Sequence, residues 1–194
     1  MDSATWVDVV PVAALAIALA ACTGLRAWLP LLLAGGLART GLLELGPSFG
    51  FLSSNKALVL FALATAIEIV GDKIPAVDHT LDALSTVLRP AAGALLAASV
   101  LGRVSDPLTA WVLGVVVGGP TALVPHAAKS GLRVASTAFT AGLANPLVSL
   151  LEDVSAVVLF VLAVVAPLVV CLLLLGAVWL LARRMARRAR LVAA

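Results

Sequence analysis

From Val154 to Ala182 the chain runs 29 residues without one charged side chain. Val9–Leu25 adds 17 more, Ala27–Ala38 12 and Pro107–Pro125 19. A helix crosses the ~30 Å hydrocarbon core of a bilayer with about 20 apolar residues. Inside lipid, only a helix or a closed barrel satisfies its own backbone groups. A barrel strand alternates apolar and polar residues, and Val157-Val158-Leu159-Phe160-Val161-Leu162 does not. These runs dictate an all-α fold, a polytopic transmembrane helical bundle. Composition agrees: the chain is 62% hydrophobic and 12% charged, against about half and a quarter in soluble domains. Residues 1–182 read as a single membrane domain and residues 183–194 as a basic cytoplasmic tail.

The net charge of +3 hides an asymmetry. Arg183, Arg184, Arg187, Arg188 and Arg190 cluster directly after the last apolar run. Such a flank marks the cytoplasmic side and suits anionic lipid headgroups. The expected location is the inner (plasma) membrane, multi-pass, with the lipid bilayer as the main partner. No folded basic domain accompanies the tail, so no nucleic acid is expected. Abundant Gly and Ala suit helix docking, which adds a homo-oligomer to the expected partners. Cys22 and Cys171 sit in apolar runs and read as small buried hydrophobes. Leu19-Ala20-Ala21-Cys22 has the shape of a lipoprotein cleavage box. The first eight residues, however, hold Asp2 and Asp8 and no Lys or Arg, unlike a secretory signal.

The apolar runs are interrupted in a patterned way. Thr23-Gly24-Leu25-Arg26 and Ser130-Gly131-Leu132-Arg133 share small hydroxyl residue, Gly, Leu, Arg. Paired interruptions in two halves point to broken or re-entrant helices around a transporter-like site. The halves would be residues 7–75 and 107–182, an internal repeat, with helix breaks at Gly24 and Gly131 and both arginines near the midline. Gly118-Gly119-Pro120 and Asn145-Pro146 are further break signals. Val154–Ala182 reads as one tilted crossing about 43 Å long, kinked at Pro167. Residues 76–88 read as a separate amphipathic segment. There Asp78, Asp82 and Ser85 share one face, and Pro90 opens another apolar stretch. About six membrane segments are expected. Six plain crossings would put both chain ends on one side, whereas the acidic start and basic end favour opposite sides.

Thr23-Gly24-Leu25-Arg26-Ala27, Gly71-Asp72-Lys73-Ile74-Pro75 with Asp78, and Pro125-His126-Ala127-Ala128-Lys129 with Gly131-Leu132-Arg133 together resemble the bacterial membrane family called domain of unknown function 4126. The resemblance covers nearly the whole chain outside its two ends. It implies a polytopic helical fold and supplies no activity. A weaker resemblance is to cation/proton exchangers with a Glu-x-Gly-Asp-Lys/Arg motif. Here two residues separate Glu68 from Gly71 instead of one, which turns the glutamate by about 100° on a helix.

Charges embedded in lipid cost roughly 2.5–3.5 kcal/mol each, so they face partners or water. The basic candidates are Arg26, Lys129, Arg133 and His126. The acidic ones are Glu68, Asp72, Asp78 and Asp82, with Lys73 and His79 beside them. Glu68 and Asp72 lie four apart on one helical face, an arrangement suited to carrying protons or binding a cation. The arginines suit an anionic solute at helix N-termini. The expected function is a small-solute or ion transporter or channel. The alternative is a structural or partner-binding subunit whose charges only form internal salt bridges. No zinc motif, phosphate loop or nucleophile elbow occurs. His79, Asp82 and Ser85 on one helix have the wrong geometry for a hydrolase triad. No enzyme activity, metal or cofactor is therefore expected.

Overall fold

Helix α1 (Trp6–Thr23) is built from Ala, Val and Leu and stops at Gly24, after which the chain is non-helical as far as Trp28. The computed structural model describes residues 6–73, 75–141 and 143–192, without the side chains of 75–83, 181 and 187–192. Expectations resting on Asp2, on the side chains of Asp78, His79, Asp82, Arg187, Arg188 and Arg190, or on Gly142 fall outside the described residues. Helix α2 (Leu29–Arg39) restarts with Pro30 in its first turn, where a missing N–H costs nothing. It ends at Thr40, and Gly41 follows at φ 76°, a left-handed position that favours glycine. A short 3-10 helix, Pro47–Ser53, buries Phe49 and Leu52. Ser54 then caps α3 (Asn55–Gly71), its hydroxyl accepting from the Ala57 amide at 3.2 Å.

Helix α4 (Pro75–Leu101) is followed by α5 (Pro107–Leu113), a π-helical segment (Gly114–Gly118) and α6 (Gly119–Thr140). Ala141, at φ 52°, ends α6. Helices α7 (Asn145–Val165) and α8 (Pro167–Val192) complete the chain. Asp106 caps α5, accepting from the Leu108 and Thr109 amides at 3.1 Å. Bonds from Thr109, side chain first and then backbone, hold its carboxyl below the usual aspartate value. A depressed acid contributes stability above its unfolded pKa of about 3.9 and loses it as pH falls through the lower folded value. Asp106→Ala should therefore speed amide exchange at Leu108 and Thr109 at neutral pH, and the difference from wild type should vanish in strong acid. An unchanged exchange rate at neutral pH would refute the cap.

The core is made of small residues. Ala18, Leu19, Ala20, Ala21 and Cys22 of α1 are fully buried, as are Leu96, Ala98 and Val100 of α4. Helix α1 packs against α4, α6, α7 and α8. Close helix approach in lipid depends on such residues. A Cβ added at Gly118 would come within 2.5 Å of the Gly93 carbonyl oxygen. The outer surface is the reverse. Leu63, Ile67, Val87, Leu147 and Leu172 are all more than half exposed, a surface with no place in water. Among the described residues, five helices are long and apolar enough to cross a membrane, or six if the 3-10 helix and α3, bent by 58°, form one span. The chain is a multi-pass helical membrane protein.

Two ends of the bundle can be distinguished. Asp8, Glu44, Arg103 and Pro167 line one cavity of about 660 Å³ and so share one end. The Cys171 thiol lies 3.5 Å from the Ala14 carbonyl, so α8 runs alongside α1 toward the other end. The described termini therefore lie at opposite ends. Six plain crossings miss the difference because α2 makes an extra short return of 11 residues.

Several sequence expectations are corrected. Helix α6 runs unbroken through Gly131. That residue is exposed and a Cβ there would meet nothing within 4 Å, so no close approach calls for a break. The Gly24 break has no counterpart there. Gly118-Gly119-Pro120 does not stop its helix either: Pro120 sits in the first turn after the π-helical segment. Asn145-Pro146, by contrast, does mark a helix start. Val154–Ala182 is not one crossing. Ala166, at φ −142° and ψ 66°, separates α7 from α8, because Pro167 disfavours a helical residue before it. Residues 76–88 are not a separate segment, since α4 continues through Pro90. Near the proline, the Thr23 hydroxyl donates to the Arg89 carbonyl at 3.2 Å, which ties α1 to α4 at this point.

A buried charge network at the helix break

The break between α1 and α2 carries Arg26 into the interior. Counted along α1, it lies about 27–30 Å from Trp6, past the expected midline and close to the far face of a ~30 Å hydrocarbon core. Its side chain is fully buried. The guanidinium pairs with Asp72, lies 2.5 Å from Asp153 and donates to the Ser149 hydroxyl at 3.3 Å. Asp72, the first residue past α3, collects three cations on one oxygen. Arg26 bonds it, Lys129 stands at 3.3 Å and Arg133 at 3.1 Å. Lys129 and Arg133 also share Glu152. Arg133 donates to both carboxylate oxygens, at 3.0 and 2.9 Å, and Lys129 approaches at 2.9 Å. That bidentate pairing is the stronger arginine geometry. The spacing of His126, Lys129 and Arg133 places all three on the buried face of α6.

Glu68 has a different task. Its carboxylate accepts from the backbone amides of Ala27 and Trp28, at 3.0 and 3.3 Å. These are orphan donors at the start of α2, where the helix dipole favours negative charge. The anion expected at a broken helix N-terminus is thus an internal carboxylate. Arg89, fully buried on α4, stands 3.7 Å from Glu68, donates to the Gly24 carbonyl at 3.2 Å and lies 2.6 Å from His126 Nδ1. A cavity of about 130 Å³ lined by Trp28, Ala64, Glu68 and Ser85 adjoins this second cluster.

Of the residues expected at the site, Arg26, Arg133, Glu68, Asp72, His126 and Lys129 converge. Lys73 is at the rim, its side chain 43% exposed and 3.4 Å from Asp153. Asp78 and Asp82 lie on the first turns of α4, and their side chains are outside the described residues. Sequence reasoning missed Arg89, Ser149, Glu152 and Asp153. Adjacent acids such as Glu152 and Asp153 are typical of a first helical turn, but α7 begins at Asn145 and carries them a further two turns along. The signal that could have found them is charge balance: three embedded cations on two segments require acids on a third. Among the described residues, the network sets Arg26, Arg89, Lys129 and Arg133 against Glu68, Asp72, Glu152 and Asp153.

The family described as Domain of unknown function (DUF4126) matches residues 13–187. No curated protein and no solved structure matches the chain.

Proposed function

The chain belongs to the DUF4126 family, whose description carries no activity, and from the charge network we propose a small-solute or ion transporter or channel. The bundle sits in the plasma membrane with the arginine tail in the cytoplasm, the side favoured by its basic flank. The observation that carries the reading is the position of the network. Charges from the α1–α2 break, α3, α4, α6 and α7 meet buried between the helices of an apolar bundle, toward one of its ends and next to the short helix α2 that turns back within it. For stability alone this is a poor solution. Well-packed apolar residues in place of a buried ion pair are often neutral or stabilising by about 1–4 kcal/mol. Ionisable groups that face the interior of a membrane bundle mark ion and proton pathways.

The second reading is a structural or partner-binding subunit. It is favoured by the equal numbers of cations and carboxylates named above, which neutralise one another. Purified protein in liposomes separates the two. A transporter dissipates an imposed pH or ion gradient faster than empty liposomes, and Asp72→Asn changes that rate. No flux across a broad panel of ions, with variants altered only in stability, would remove the transport reading. A periplasmic reporter enzyme active when fused after Ala194 would overturn the orientation.

A further inference from the structure

We propose that Asp72 occupies the seat of a small monovalent oxyanion, which binds to Arg26, Lys129 and Arg133 together with one proton taken up by Asp72. The inference rests on the reading of this network as a transport centre and names its substrate class and coupling ion.

The geometry is that of an anion site with a resident anion. Three cationic donors from two parts of the fold converge on one oxygen of Asp72. The three cations also hold Asp153 and Glu152, but a single oxygen of Asp72 serves all three at once, and a free oxyanion offers more acceptors at the same place. A second observation points the same way. The Arg26 Nε is buried and has no hydrogen-bond partner, although buried donors are nearly always satisfied. Glu152 is not the exchangeable member, because Arg133 grips both of its oxygens. Nor is Glu68, which holds the start of α2 through two amides. Asp72 stands just past the end of α3, where the side chain is not bound into a helical face.

The exchange is electrically balanced. A proton from water neutralises the Asp72 carboxylate, its bonds to the three cations weaken, and one monovalent anion takes its place. The charge of the site is the same before and after. The groups around Asp72 are Arg26 from the α1–α2 link, Lys129 and Arg133 from α6, Glu152 and Asp153 from α7, and Glu68 and Lys73 on its own segment. Arg89 and His126 form the adjoining cluster. The first turns of α4 bring Asp78, His79 and Asp82, whose side chains are outside the described residues.

Nitrate and formate are the probes, titrated into the detergent-purified full chain by calorimetry at several pH values. In wild type, affinity should rise about tenfold per unit fall in pH, with one proton taken up per anion, as linkage to a single site requires. Proton uptake is read in weakly buffered solution and needs no variant. Asp72→Asn should bind the anions with no proton uptake and no pH slope. Binding absent from wild type at every pH overturns the proposal, as does binding without proton uptake, or an Asp72→Asn protein that binds with the wild-type slope. Liposome flux separates this from the broader reading. Proton-linked binding without flux supports the anion seat and removes transport. Flux without proton-linked binding overturns the seat and leaves transport standing.

Discussion

Gly24→Ala is expected to destabilise the bundle by about 1–3 kcal/mol, the usual cost of forcing atoms into a packed interior. An added Cβ at Gly24 would overlap the carbonyl oxygen of Ala122, and backbone cannot turn aside as a flexible side chain can. Helices α1 and α6 would have to separate, and Arg26, two residues on, would shift against Asp72. Gly131→Ala is the matched control, from the second copy of the same four-residue motif. A Cβ there meets nothing within 4 Å, and the position is inside α6, so alanine should be neutral or stabilising by up to about 1 kcal/mol. Thermal unfolding of both variants in one detergent measures the contrast. Equal midpoints would mean that α1 and α6 are not in such close contact at Gly24.

Arg26→Ala should cost more, about 3–5 kcal/mol, the range for removing one partner of a buried ion pair. The side chain is fully buried and serves Asp72, Asp153 and Ser149 at once. Asp72 would keep Lys129 and Arg133, but Asp153 would keep only the rim lysine, Lys73, at 3.4 Å. Arg26→Lys should fall between, since one ammonium cannot span the two carboxylates as the planar guanidinium does. Lys73→Ala, at an exposed pair, should change stability by less than about 1 kcal/mol. If Arg26→Ala unfolds at the same temperature as Lys73→Ala, the buried pairs hold nothing together.

The helical membrane fold was legible because lipid leaves few choices: an uncharged run must satisfy its own backbone. Arg26, Lys129, Arg133, Glu68 and Asp72 were legible for the same reason, since a charge in such a run must be compensated. What was not legible is which glycines and prolines act. Gly24 and Gly131 have the same neighbours in sequence, yet only Gly24 faces another backbone. Pro90 and Pro167 both interrupt apolar runs. At Pro167 the residue before it leaves the helical region and α8 begins, whereas at Pro90 the helix continues, packed against α1 and joined to it by the Thr23 hydroxyl on the Arg89 carbonyl. These outcomes depend on contacts distant in sequence. Arg89 was hidden by its place just before Pro90, and Glu152 by its adjacency to Asp153, a pair typical of a first helical turn.

The π-helical segment at Gly114–Gly118 also sets the direction in which α6 points its side chains. A wide turn of this kind holds one residue more than an α-helical turn, an offset of about 100° in rotational phase. Ala110 before it and Arg133 after it are both buried. In an uninterrupted α-helix their directions would differ by about 140°; with one residue absorbed by the wide turn, the difference falls to about 40°. The segment thus acts as a phase shifter, letting one continuous rod pack its first half against α4 and still deliver His126, Lys129 and Arg133 to the interior. Deleting a single valine from Val115–Val117 would close the wide turn into an ordinary α-turn, leave every charge in the chain unchanged and keep the three α6 groups facing the interior.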